Sequence, residues 1–126
     1  MHTPAEQTLD IMSSTCIDAH SIIFGLGDTG LSCARFLAAH GIEFAAIDTR
    51  ERPPAAAALM AAFPHARVVT GFTDPARIGN CEQLLLSPGI PRTHPVVQAA
   101  IGRGIEVIGD IELFARHAQA PVVAVT

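Results

Sequence analysis

The sequence predicts an α/β fold, a parallel sheet of about five strands with helices on both faces. Three observations carry that expectation. Short runs that are almost wholly apolar, such as SIIFG and QLLLS, recur along the chain, as central parallel strands require. Helix-patterned segments separate them, so strand and helix alternate in the βαβ rhythm of a doubly wound sheet. The 126 residues, 49% of them hydrophobic, suit one domain able to bury its own core.

Each element follows from local chemistry. SIIFG (21–25) reads as a buried first strand. TGLSCARFLAAHG (29–41) reads as a helix with Leu31, Ala34, Phe36, Leu37 and Ala38 on its apolar side. Arg35 and His40 fall on the wet side, and Gly41 ends the helix. IEFAAID (42–48) is the second strand, and Pro53 and Pro54 open a helix through AAAALMAAF. ARVVTG (66–71) is the third strand, and FTDPARIGNCE is a loop with one helical turn. QLLLS (83–87) is the fourth strand, after which PGIPRTH loops out and Pro95 starts the helix PVVQAAIGRG. IEVIG (105–109) is the fifth strand, Asp110 caps the helix IELFARHAQ, and PVVAV is expected as a sixth strand. The polar opening stretch is expected to be a flexible leader over 1–19, with the Rossmann-like domain over 20–120 and a new unit starting over 121–126.

Composition excludes several functions. A net charge of −4 and the absence of Trp and Tyr argue against nucleic acid, which wants a basic face and stacking platforms. All eight basic side chains are arginines, so Schiff-base chemistry and a phosphate-loop lysine are absent from these 126 residues. Cys16, Cys33 and Cys81 are odd in number and widely spaced, and the six histidines show no i, i+4 pairing. Neither a disulfide framework nor a metal site is expected, and idle thiols in a reducing cytoplasm are the plainer reading. No basic start followed by an apolar run marks a signal peptide, and no apolar stretch is long enough to span a membrane.

Ligands of such sheets sit at the carboxyl ends of the strands. Three loops there hold suitable residues. After the first strand comes G-x-G-x-x-G, from Gly25, Gly27 and Gly30. In a strand–turn–helix setting this pattern allows a tight turn, close approach of a diphosphate and close helix packing. Thr29 offers a phosphate a hydroxyl or, equally, caps the helix. Asp48 follows Gly30 by eighteen residues, near the spacing of an acid that binds a ribose or base edge. Arg50 suits stacking on a base or neutralising phosphate, or else it is a solvated loop cation. SPGIP has proline then glycine at central turn positions, as a type II turn prefers, and can aim Ser87 into the same crevice or serve as a plain connector. His94 reads as a helix cap rather than a catalytic group. No acid–base pair or activated nucleophile is evident, so no catalytic residue is assigned.

GLGDTGLSCARFL, DTRERPP, SPGIPRTHPVV and GIEVIGDIELFARHAQAPVVAVT together resemble the N-terminal domain of the Mur ligases, in the branch that adds D-glutamate. The resemblance covers nearly everything from Ile22 to Thr126. It implies a five-stranded Rossmann-like sheet that holds the UDP part of UDP-N-acetylmuramoyl-L-alanine. Gly27, Asp28, Thr29 and Gly30 would line the uridine–diphosphate site, Asp48, Thr49 and Arg50 would surround uracil and ribose, and Ser87, Pro88 and Gly89 would close the far side. Asp28 replaces an apolar residue of the family pattern, and its service would be a backbone N–H with the carboxylate turned outward. The resemblance further implies an ATP- and magnesium-dependent cytoplasmic ligase of peptidoglycan precursor synthesis. In such an enzyme a carboxylate is activated as an acyl phosphate and attacked by D-glutamate. The ATPase and C-terminal domains, on which this one would dock, would follow VVAVT, and these 126 residues alone would be inactive. The alternatives are an NAD-binding redox or regulatory domain, which the glycine pattern and Asp48 also suit, and a non-catalytic interaction module.

Overall fold

A computed structural model describes residues 16–125, with side chains described through residue 118. Strands β1 (Ser21–Phe24), β2 (Phe44–Ile47), β3 (Arg67–Val69), β4 (Gln83–Leu86) and β5 (Glu106–Ile108) form one sheet in the order β3-β2-β1-β4-β5. Every pairing is parallel. Helices α1 (Asp28–Ala39), α2 (Ala56–Ala62), α3 (Pro95–Gly102) and α4 (Asp110–Val125) connect or follow the strands, and the expected helical turn is a 3-10 turn at Pro75–Arg77. The α/β expectation and its five parallel strands are thus present.

Side-chain alternation explains why both sheet faces are covered. Ile22, Phe24, Ala45, Ile47 and Leu84 face one layer, packed by Phe72, Ile78 and the α3 residues Val96, Val97 and Ala100. Ile23, Phe44, Ala46 and Leu85 face the other, packed by Cys33, Ala34 and Leu37 of α1, Ala56 and Leu59 of α2, and Leu113 of α4. Strands buried on both sides are apolar at nearly every position, which is why β1, β2 and β4 read as near-continuous runs, with the buried Ser21 and Gln83 bonded to one another. In α1 the buried positions are Gly30, Cys33, Ala34 and Leu37, an i, i+3, i+4, i+7 stripe. Ala38, expected on that stripe, is exposed and Cys33 takes its place. Gly41 adopts φ +67° just beyond the helix, the left-handed stop that glycine permits.

Two expected boundaries need correction. Residues 1–15 of the expected leader lie outside the described residues, but Ile17 and Ala19 are part of the core. Ile17 pairs with Ile78, donates its N–H to Arg77 O at 2.7 Å, and accepts from Gly79 N at 2.9 Å. Full burial of one isoleucine contributes about 1.5–3 kcal/mol, so the folded unit begins before residue 20. At the other end, the chain over 121–125 continues α4 rather than forming a sixth strand. A helix satisfies its backbone within itself, whereas a strand needs a neighbour to pair with. Thr126 lies outside the described residues.

Candidate functional site

The strand order reverses between β1 and β4, so the connections leaving these two strands diverge and open a crevice at their carboxyl ends. That crevice has a volume of about 270 Å³, just under the range of about 300–1,000 Å³ usual for small-molecule sites. It suits one part of an extended ligand. Gly27, Asp48, Thr49, Arg50, Ser87 and Gly89 line it. Of the other expected positions, Asp28 and Pro88 are exposed, Thr29 is half-buried and Gly30 is buried, all outside that wall. Gly25 and Ile90 complete the lining. Ile90 was not singled out from sequence, because an apolar residue after a turn carries no chemical signature.

The glycines divide the work of the first loop. Gly25 has φ +110°, and a Cβ there would lie 2.5 Å from Ser87 Oγ and 3.1 Å from Ile90 Cδ1. Glycine therefore lets the β1 and β4 loops close on one another, a contact reinforced by Ser87 N–H donating to Phe24 O at 3.1 Å. A Cβ on Gly30 would collide with the carbonyl oxygen of Gly25, so this glycine sets the close packing of α1 on the loop. Gly27 differs from both. It is the N-cap of α1, and nothing lies within 4 Å of where its Cβ would be. No side chain caps this helix start, and helix geometry leaves the Asp28, Thr29 and Gly30 N–H groups without intrahelical acceptors. Backbone donors at a helix start favour an anion. Thr29 therefore does not act as the cap.

Asp48 directly follows β2 and is buried. Its Oδ2 accepts from Leu26 N at 2.8 Å and Arg50 Nη2 at 2.8 Å, and its Oδ1 accepts from Arg50 N at 2.8 Å and Arg50 Nε at 3.0 Å. Burial, the largest single influence, pushes its pKa up. The hydrogen bonds from Arg50 and Leu26, with the Arg50 charge, outweigh it and hold the carboxyl below the usual carboxylate range. Asp48 thus ties the glycine loop to the β2 loop as an anion.

In the third loop, Ile90 N–H donates to Ser87 O at 3.0 Å and closes a turn. Gly89 does not have positive φ, so this turn is not the expected type II. Proline at the first central position suits type I equally, and glycine permits either. His94 caps α3, its Nδ1 accepting from Val96 N at 3.1 Å.

A larger crevice, about 630 Å³, lies at the opposite end of the sheet beside Asp18, His20, Asn80, Glu82 and Arg103. There Gln83 Nε2 donates to Ser21 Oγ at 2.8 Å, Ser21 Oγ bonds His20 Nδ1 at 2.9 Å, and His20 Nε2 meets Glu82 Oε2 at 2.7 Å. The order serine, histidine, carboxylate has the form of an activated nucleophile. Ser21, however, is 0% exposed, so no substrate reaches its hydroxyl. Cys81 nearby and Cys33 in the core have pKa values raised to about 11, chiefly by burial, so both are protonated thiols rather than nucleophiles. Among the described residues no group of three or more His, Cys, Asp or Glu could hold a metal, and no helix is long and apolar enough to cross a membrane.

Comparison with known proteins gives the family. Residues 19–109 match the family described as Mur ligase MurD-like, N-terminal domain. A UDP-N-acetylmuramoylalanine--D-glutamate ligase of Nitrosococcus oceani is 49% identical over 110 residues, covering 87% of this chain and 24% of that protein. The protein of the same name from Pseudomonas fluorescens strain Pf0-1 is 45% identical over 115 residues, 91% of this chain and 26% of the relative. One from Thiobacillus denitrificans is 46% identical over 95 residues, 75% of this chain and 20% of the relative. The chain thus spans about a quarter of the length of the curated relatives it matches.

Proposed function

The chain belongs to the MurD-like family of Mur ligase N-terminal domains, and we propose that its carboxyl-end crevice binds the UDP portion of UDP-N-acetylmuramoyl-L-alanine. The full protein would be the ATP-dependent ligase that joins D-glutamate to that substrate, in the cytoplasm, for peptidoglycan precursors. The observation that carries this reading is the convergence of three loops on one crevice beside an uncapped helix start, with open space at Gly27.

In this reading the α1 amides of Asp28, Thr29 and Gly30, with Gly27, receive the diphosphate. Asp28 is exposed, which leaves its carboxylate room to turn away from the diphosphate. Asp48, Thr49 and Arg50 meet the nucleoside, and Ser87, Pro88 and Gly89 close the other side. Amide formation from a carboxylate needs a leaving group, which ATP and magnesium would supply as an acyl phosphate. The sequence has no lysine and the described residues gather no metal ligands, so these residues do not fit ATP or magnesium. Those groups would belong to the remaining three-quarters of a protein as long as its relatives, whose ATPase and C-terminal domains would dock on this one. What the described residues do is bind and orient the substrate, and none is assigned to the chemistry.

Titration of the 126-residue chain with UDP and with NADH tests this. UDP should bind well ahead of NADH. Binding of NADH ahead of UDP would return the glycine loop to a redox or regulatory domain, and no binding of either would leave an interaction module.

A further inference from the structure

An ionised carboxylate has about four lone-pair sites, and on Asp48 all four are taken. Two bonds come from backbone N–H groups of Leu26 and Arg50, which cannot leave without moving the loops. The other two come from the Arg50 guanidinium, one to each oxygen, at 3.0 and 2.8 Å. The partners differ in mobility: the Asp48 side chain is 4% exposed and that of Arg50 is 56% exposed. Both line the crevice. The guanidinium is therefore the one donor that can depart from the carboxylate at low cost, and its departure uncovers two adjacent acceptor sites, one per oxygen, on a buried anion.

We propose that Arg50 is a latch, standing in the ligand-free protein where a nucleoside's own hydrogen-bond donors bind Asp48, and turning on nucleotide entry to the ligand's diphosphate. This rests on the proposed function and deepens it. The donors are O–H or N–H groups, from the vicinal ribose hydroxyls or the uracil imide. The exchange conserves charge pairing only for a ligand that brings both a donor and an anion. A nucleoside without phosphate would displace the guanidinium and leave it with no counter-charge. Every ligand must open the latch, since its apparent affinity scales with the open fraction of the protein. The pair selects nucleoside diphosphates over nucleosides because only a diphosphate gives the displaced guanidinium a new partner.

A structure of the wild-type chain saturated with UDP is the direct test. The Arg50 Nε to Asp48 Oδ1 separation should open from 3.0 Å to beyond about 4 Å, the outer limit of an ion pair, with a nucleoside donor on Asp48. UDP in the crevice with the pair still closed would overturn the latch and leave the proposed function standing. A crevice that stays empty at saturating UDP would overturn both. Affinities supply a second reading: the preference for UDP over uridine should fall about tenfold in Arg50→Ala, and an unchanged preference would contradict the exchange. UDP lacking both ribose hydroxyls and UDP methylated at the uracil nitrogen identify the donor. One of them should lose at least tenfold in affinity, and equal binding of both to that of UDP would overturn the proposal.

Discussion

At the amino end of the sheet His20, Ser21, Glu82 and Gln83 bond to one another beside the larger crevice, whereas at the carboxyl end α1 starts without a side-chain cap at Gly27, which lines a smaller one. Volume alone would choose the amino end, whereas the proposed function places the ligand at the carboxyl end. Polar groups already satisfied by neighbours hold the chain together: Asp18 accepts from Asn80 N at 2.6 Å, and Arg103 donates to Ile78 O. Polar groups held in place without a partner are what a ligand can use. The exposed His20–Glu82 pair belongs with surface ion pairs of small worth. Asp48 stands between the two cases, because it is satisfied by a partner able to move.

Glycines provide the sharpest way to break this comparison. Gly30→Ala drives a methyl into the Gly25 carbonyl and should cost about 3 kcal/mol in urea unfolding, with loss of UDP binding as the loop shifts. Gly79→Ala at the other end also meets backbone, Ile17 O at 2.8 Å. It should cost about 2 kcal/mol and leave the UDP affinity of folded protein unchanged. Equal loss of binding in both would erase the distinction between the ends.

Asp48→Asn exchanges an anion that accepts four hydrogen bonds for a group that also donates, and should cost about 2 kcal/mol. The pH dependence follows from its lowered pKa. Stability from Asp48 is present above the unfolded carboxyl value, about 3.9, and is lost as pH falls through the lower folded value. Acid unfolding curves should show that component in the wild type and lack it in the variant.

Gly27→Ala sharpens the contrast with Gly30, since the new methyl meets only open space. Folding should change by less than about 1 kcal/mol, while UDP affinity falls about tenfold by calorimetry. Asp28→Leu is expected to have the smallest effect. Its carboxylate is exposed, so UDP affinity should stay within about threefold, with about 0.3–1 kcal/mol of helix-dipole stabilisation lost. A gain of about a hundredfold would show the charge facing the diphosphate.

The strands and the glycine loop were legible because burial on both faces and a tight turn leave few residue choices. Three features were not. Ile17 and Ala19 sit among polar neighbours, and the Ile17 partner, Ile78, comes from a distant loop, so no local pattern announces them. PVVAV is a short apolar run that periodicity alone assigns to neither strand nor helix. At the site, the position of Asp48 and Arg50 at a strand's carboxyl end was readable from type and spacing, but their bidentate pairing depends on a rotamer, which sequence does not encode. The turn after Ser87 shows the same limit, since glycine accepts both turn types that proline allows.

Backbone amide shifts on titration with UDP test most directly which end of the sheet receives the ligand. Saturating UDP should move the amides of Gly25, Gly27, Thr29, Thr49 and Ser87 and leave those of Asn80, Cys81 and Glu82 in place. Movement confined to Asn80, Cys81 and Glu82 would contradict the account.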